Sequence, residues 1–484
     1  MKNKLIMLLI LPTILSGCKK YLVEQPSGIV VGDVAVSTVD GLNAQLAGAY
    51  STVIGDWGNG FASAGPIGMS MGGDDVTTHP GLNKEEFREF DLFAVTPFNS
   101  RLLPIWNGLY KTIQSANNII THYQSVKGDK TAIDEIVGEA YFLRGFSYYY
   151  LVRFWGKVPL ITTAAYDPKL LTVGTSGTAD VYKLIESDLQ QAEQLVANTK
   201  AAPGRVNKGT VKSYLADVYL TESGWPLKDN SKLSLAAAKA KEVIDNKATY
   251  GFDLFQGGYG LIFAGGTAED VFTLFTDNNT NSNHFYGMSG MPGDENGWDD
   301  YCSEINFFNN FPAGTRKDAV FLTSVTVGGN TIPWPNFIIH HPYYQKFKIQ
   351  TGANPLDYSS ASPIILMRYA EVLLLYAEAQ AGSGTPSADA YAAINAVRER
   401  AGLPDLPAGL NSADFVKAVI AERGWEFACE WHRWFDLVRT ETVGQANANR
   451  DPREIPMKGD PNDKSKWLMP VPSTDASINP NLNH

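Results

Sequence analysis

The stretch Gly138–Leu160, GEAYFLRGFSYYYLVRFWGKVPL, limits what this chain can fold into. It holds eight aromatic residues between Tyr141 and Trp155. Leu143, Phe146, Tyr150 and Phe154 fall on one helical stripe, and Tyr141, Tyr148, Val152 and Trp155 on another. A helix that is apolar nearly all round is buried on most sides, so other helices must surround it. Gly145 leaves room for one of them to approach closely. Gly156 and Pro159 end the helix, which the pattern predicts over 133–155. Arg144 and Arg153 are the only charges inside it after Glu139, and a buried guanidinium needs a partner supplied from elsewhere in the chain.

The N-terminus reads as an address. Lys2 and Lys4 precede an apolar run, Leu5–Ile14, too short to span a bilayer. Leu15-Ser16-Gly17-Cys18 resembles a bacterial lipobox, which predicts a signal peptide over 1–17 and acylation of Cys18. No other segment is long and apolar enough to cross a membrane, so the chain is expected to be anchored rather than embedded. Removing 1–17 takes away Lys2 and Lys4, leaving 51 acidic residues against 38 basic ones. That balance argues against nucleic acid and against electrostatic binding to an anionic membrane. Cys302 and Cys429 are compatible with one disulfide or two separate thiols. Spacing does not choose between these, and free thiols are the reading taken.

Helical periodicity recurs along the chain. It predicts helices over 39–54, 102–123, 133–155, 181–196, 208–222, 235–245, 363–381, 388–400 and 412–439. Three of them, Tyr- and Ala-rich, end in Gly then Pro: Gly156/Pro159, Gly224/Pro226 and Gly384/Pro386. Helix pairs with such endings predict an all-α, tetratricopeptide-like scaffold with a degenerate repeat. Two regions interrupt it. Residues 56–100 are loop-rich, and 250–362 are rich in Gly, Asn and aromatics, with a hairpin predicted over Ser324–Ile332 around Gly328-Gly329. The Pro-rich end, Trp467–Leu482, is expected to be extended. The resulting organisation is a tether over 18–38 and one domain over 39–484. Within it, 101–249 and 363–440 form the helical scaffold, and 56–100 and 250–362 form a loop-rich ligand region.

Several stretches together resemble the SusD (RagB/SusD) family of nutrient-binding outer-membrane lipoproteins. They are Cys18-Lys19-Lys20-Tyr21-Leu22, the aromatic helix with its closing Gly156-Lys157-Val158-Pro159, and Gly204-Arg205-Val206-Asn207 with Leu215-Ala216-Asp217-Val218-Tyr219-Leu220. Leu366–Ala379, Ile394–Leu403, Glu422–Arg439 and the ending Pro470-Val471-Pro472 with Asn479-Pro480-Asn481-Leu482 complete the set. The resemblance spans nearly the whole chain and is least over 250–362. It implies a lipid-anchored protein facing outward on the outer membrane. Such a protein binds an oligosaccharide and passes it to a SusC-like TonB-dependent transporter. It also offers Glu371, Glu378, Glu422, Glu426 and Asp436 as structural partners for Arg144, Arg153, Arg368 and Arg433.

Sugar rings stack their C–H faces on flat aromatics, while their hydroxyls pair with amides and carboxylates, so a glycan site needs exposed aromatics beside Asn or Asp on supported loops. Trp298, Asp299 and Tyr301 with Asn306 and Asn309 match that need. So do Trp334 with Asn336, and Trp57 with Asn59. Asp75, His79 and Asn83 lie in the first loop region, which in the family helps form the ligand face. No catalytic residue is expected. Gly68-Met69-Ser70-Met71-Gly72 has the spelling of a nucleophile elbow but lacks its strand-and-helix context. Adjacent acids such as Asp74-Asp75 and Asp299-Asp300 diverge and do not face each other across a scissile bond. No cofactor is expected. Asp294–Asp300 is acidic enough for calcium but lacks EF-hand spacing. The rival readings are a secreted glycoside hydrolase, a repeat scaffold that binds only protein, and a SusD relative that takes peptides.

Overall fold

Side-chain caps fix the starts of several scaffold helices in the computed structural model, which describes residues 37–55, 60–165, 167–276, 288–347 and 361–482. The helices are α1 (Val39–Ile54), α2 (Leu102–His122), α3 (Lys130–Trp155), α4 (Thr178–Leu195), α5 (Lys208–Glu222), α6 (Lys232–Asp245), α7 (Tyr369–Gly382), α8 (Ala388–Arg400), α9 (Ser412–Glu426) and α10 (His432–Arg439). Asp129 accepts from the Thr131 N–H, Asn207 from Thr210 and Ser387 from Ala390, each satisfying an N-terminal amide that no helix carbonyl can reach. Gly156 closes α3 at φ 72°, its N–H on the Val152 carbonyl.

Neighbours in sequence pack on one another from α1 through α8, and α9 also packs on α7. At Gly145 a Cβ would lie 3.3 Å from Leu189 and 3.4 Å from Asp188, so this glycine is where α4 closes on α3. Phe146 meets Tyr150, Tyr214 and Phe272 at ring distances of 4.9, 5.6 and 5.5 Å. The aromatic helix is thus core, as its all-round apolar surface demanded. One buried hydrophobic cluster runs from Leu42 to Leu482, and a small satellite lies under the insert.

Two expected helices are each divided. Ile364–Arg368 is a strand, antiparallel to Asp270–Leu274, and α7 begins only at Tyr369. An apolar run of four carries no period, and here pairing of Met367 with Phe272 and of Ile364 with Leu274 decides its state. The stretch 412–439 breaks between α9 and α10, where Cys429 and Trp431 adopt φ of 60° and 51°. The Asp75 carboxylate accepts the Cys429 N–H at 3.0 Å at that corner. Short helices also occupy Gly65–Met69, Glu85–Asp91 and, in the Pro-rich end, Ser473–Ile478. The hairpin forms as expected, Ser324–Val327 against Asn330–Pro333.

The charged partners differ from those the resemblance offered. Arg144 pairs with Asp188 through two hydrogen bonds, at 2.7 and 2.6 Å, and with Asn117 at 2.9 Å. Arg153 lies 4.0 Å from Asp217 and is held mainly by aromatic faces, with Tyr149 at 3.8 Å and Phe435 at 4.0 Å. Arg433 pairs with Asp74. Only Arg368 takes an offered partner, Glu426 at 2.7 Å, and it adds Glu269 and Glu430. Glu426 also receives Arg400 and Arg316. Burial alone would raise its carboxyl, but Arg400, Arg368 and Arg316 outweigh that and hold it at about 2. A second seam joins Glu378 and Asp436 to Arg439, and Asp436 to Arg423.

Candidate functional site

A two-residue ribbon brings the two loop regions together. Val76–Thr77 pairs antiparallel with Cys302–Ser303. Just beyond its end the Thr78 hydroxyl donates to the Asp300 carbonyl at 2.7 Å, and Lys84 pairs with the buried Asp300 carboxylate. Arg88 donates to the carbonyls of His79 and Gly81, which fixes the turn between them. His79 Nδ1 accepts the Gly81 N–H at 2.6 Å. Burial pushes its imidazole pKa down more than nearby Asp299 raises it. The neutral ring then carries its proton on Nε2, a donor suited to an uncharged ligand.

The loop carrying Trp298 is braced from beneath. Asp299 accepts from the Gly293 N–H at 2.5 Å and from the Tyr343 hydroxyl. Asp294 accepts the Ile338 N–H at 3.0 Å, which ties this loop to the turn Trp334–Asn336 and the exposed Ile338 beyond it. These ties link the segments that carry His79 and exposed Asn83, half-buried Trp298, and half-buried Trp334 with exposed Asn336. Trp334 gives part of its ring to Phe308, 5.6 Å away, and to the Arg453 guanidinium.

Other expected contacts are placed elsewhere. Tyr301 is 1% exposed, packed against Gly290, and cannot stack on a sugar. Asp299 is buried and its Oδ1 accepts from both the Gly293 N–H and the Tyr343 hydroxyl, which makes it a brace of the loop. Asp75 is buried at the α9–α10 corner, and burial pushes its carboxyl up to about 6. Asn306 and Asn309 lie on the helix Ile305–Asn310 beyond the other end of the ribbon, where Asn306 donates to the Asn449 carbonyl at 2.5 Å. Trp57, Asn59 and Cys18 lie outside the described residues. Ser70 is buried with its hydroxyl on the Pro66 carbonyl, which gives it no base to activate it. Cys302 and Cys429 are separate buried thiols, and burial pushes both pKa values up. Asp294, Asp299 and Asp300 point to different partners. Among the described residues no group of three or more His, Cys, Asp or Glu is placed to hold a metal.

Comparison with known proteins places this arrangement. Residues 336–484 match the SusD family, and residues 78–220 match a family described as "Starch-binding associating with outer membrane". The two matches together take in more than half the chain. The chain belongs to the SusD-like family. SusD-like protein P2 of Formosa agariphila is 26% identical over 514 residues, covering 100% of this chain and 99% of that protein. A SusD homolog from Bacteroides thetaiotaomicron superposes with a TM-score of 0.79 at 24% identity, over 92% of this chain and 96% of that one. A laminarin binding SusD-like protein superposes with a TM-score of 0.74 at 23% identity, over 90% and 97%. These likenesses establish the mostly helical SusD fold.

Proposed function

We propose that this SusD-like chain binds an oligosaccharide on the face shared by His79, Asn83, Trp298, Trp334 and Asn336, and delivers it to a SusC-like TonB-dependent transporter without chemical change. The observation that carries the reading is the fold-wide likeness to the laminarin binding SusD-like protein. The chemistry of the face agrees with it: half-buried indoles, a neutral imidazole donor and a free carboxamide, on loops tied down by Asp294, Asp299 and Asp300. Outer-membrane placement is supported by the matched family's description. In this reading Cys18 is the acylated anchor, and residues 39–484 act as one unit.

A glycan panel with the soluble chain from residue 19 tests binding. An open loop site should hold its ligand at micromolar to millimolar strength, about −8 to −4 kcal/mol. Trp298→Ala or Trp334→Ala should weaken that binding at least tenfold. Absence of any glycan binding overturns the function, and turnover of the bound glycan makes the protein a hydrolase. Cys18→Ala should leave the membrane fraction. In mild detergent, the native chain should co-purify with a transporter, and recovery of the chain alone would remove the delivery step.

A further inference from the structure

Beyond the other end of the ribbon, Asp74 and Glu304 form the floor of a pocket of about 430 Å³. Small-molecule sites span roughly 300–1,000 Å³. Its walls come from three segments far apart in sequence: the helix Ile305–Asn310, the end of α9, and the residues from Gln445 to Arg450. Half-buried Trp425 supplies the broad apolar surface. Asn306, Asn310, Gln445 and Asn449 supply carboxamides around it, and the Asn306–Asn449 hydrogen bond joins two of the walls. At Gly424 a Cβ would lie 3.2 Å from the Arg433 guanidinium, so the missing side chain lets Arg433 cross α9 to reach Asp74.

The charges of the floor are already matched within the protein. Arg433 is neutralised by Asp74 and Arg450 by Asp91, with the Glu304 carboxyl as a further contact of Arg450. Burial pushes the Glu304 carboxyl well up, so this group tends to be neutral. An anionic or cationic ligand therefore finds no unmatched counter-charge here. Glu304 Oε1 is held 2.6 Å from an Arg450 nitrogen, so the open polar groups of the pocket are the carboxamides. A hydroxyl group both donates and accepts, and a carboxamide offers an acceptor and a donor side by side, so a polyhydroxylated ring matches these walls.

We propose that this pocket is a second saccharide site, holding one or two units of a neutral sugar with a ring face on Trp425. The inference takes its ligand class from pocket chemistry and rests on the glycan-binding reading for its biological source. Two sites on one surface would let a single chain hold a branched or long glycan at two points.

Ligand-detected NMR and calorimetry on the chain from residue 19 test it, with neutral mono- and disaccharides and with laminarin and xyloglucan oligosaccharides as probes. The wild type should show two binding events. Trp425→Ala should weaken the small-sugar event at least tenfold and leave unchanged the event sensitive to Trp298 or Trp334. Asn449→Ala changes an exposed rim residue that the fold does not need, and should weaken the same small-sugar event three- to tenfold. Wild-type behaviour of both variants on every probe overturns the second site while the loop-face function stands. Failure of the wild type to bind any probe overturns both.

Discussion

Glu426 and Asp75 are both buried carboxyl groups near the α9–α10 corner, and their surroundings shift their acidity in opposite directions. Glu426 sits in the seam between helices and insert, where Arg316, Arg368 and Arg400 converge on it. Asp75 sits on the ribbon side, where its side chain receives one backbone N–H and its neighbour Asp74 is another acid. The seam is closed and compensated, whereas the ribbon side collects Asp75, Asp91 and Glu304 with Arg450 as a shared partner for the last two. Rigidity and recognition are thus built from the same residue types in different proportions. Where every acid has two or three cations, the structure locks. Where acids outnumber cations, burial pushes the carboxyls up and they hold protons more readily.

The largest test of this contrast is Arg368→Ala. It takes one cation from each of Glu269, Glu426 and Glu430 in the interior, and breaking such a buried network should cost about 3–5 kcal/mol in urea unfolding. A loss under 1 kcal/mol would mean that the seam is not the lock described here.

Acidity separates the two regions by sign. Glu426 is depressed to about 2 from 4.5, so its contribution is fully present above pH 4.5 and is lost as pH falls toward 2. Asp75 is raised to about 6 from 3.8, so its contribution is fully present below pH 3.8 and is lost as pH rises toward 6. Each shift corresponds to about 3 kcal/mol. Asp75→Asn keeps an acceptor for the Cys429 N–H while removing the titration. Relative to wild type, its unfolding free energy should climb between pH 4 and 6 and stay level above that. Glu426→Gln should narrow its deficit against wild type only below pH 4.5. Parallel pH profiles for the two variants would erase the distinction between seam and ribbon.

The scaffold was readable because caps and periodicity are local. Asn207 and Ser387 announce their helices, and α1, α5 and α8 begin and end where the pattern places them. Ion partners are not local. Asp188 reaches Arg144 from 44 residues away, through the register of α4 on α3, which no spacing rule encodes. The loop face was readable only in part. Trp298 and Tyr301 are three residues apart, yet one is half exposed and the other is core, because the chain enters a buried strand at Cys302. Trp425 carried an overlooked signal. It stands beside the buried stripe of α9 formed by Phe415, Val419 and Glu422, where an indole packs less completely than in a core.

The smallest effect separates the two sides of the ribbon without disturbing the fold. Asn336 and Asn309 are both exposed, and removing either amide should change stability by less than about 0.5 kcal/mol. A lost hydrogen bond to a ligand hydroxyl is worth about 0.5–1.5 kcal/mol, or roughly two- to tenfold in affinity. Asn336→Ala should therefore weaken oligosaccharide binding by that factor. Asn309→Ala should leave it unchanged, because Asn309 belongs to neither the Trp298 loop nor the Trp334–Asn336 turn and lies outside the lining of the Trp425 pocket. The reverse pattern, with Asn309 sensitive and Asn336 silent, would move the ligand from the Trp334 turn to the helix Ile305–Asn310. It would also recast the bracing by Asp294, Asp299 and Asp300 as loop packing alone.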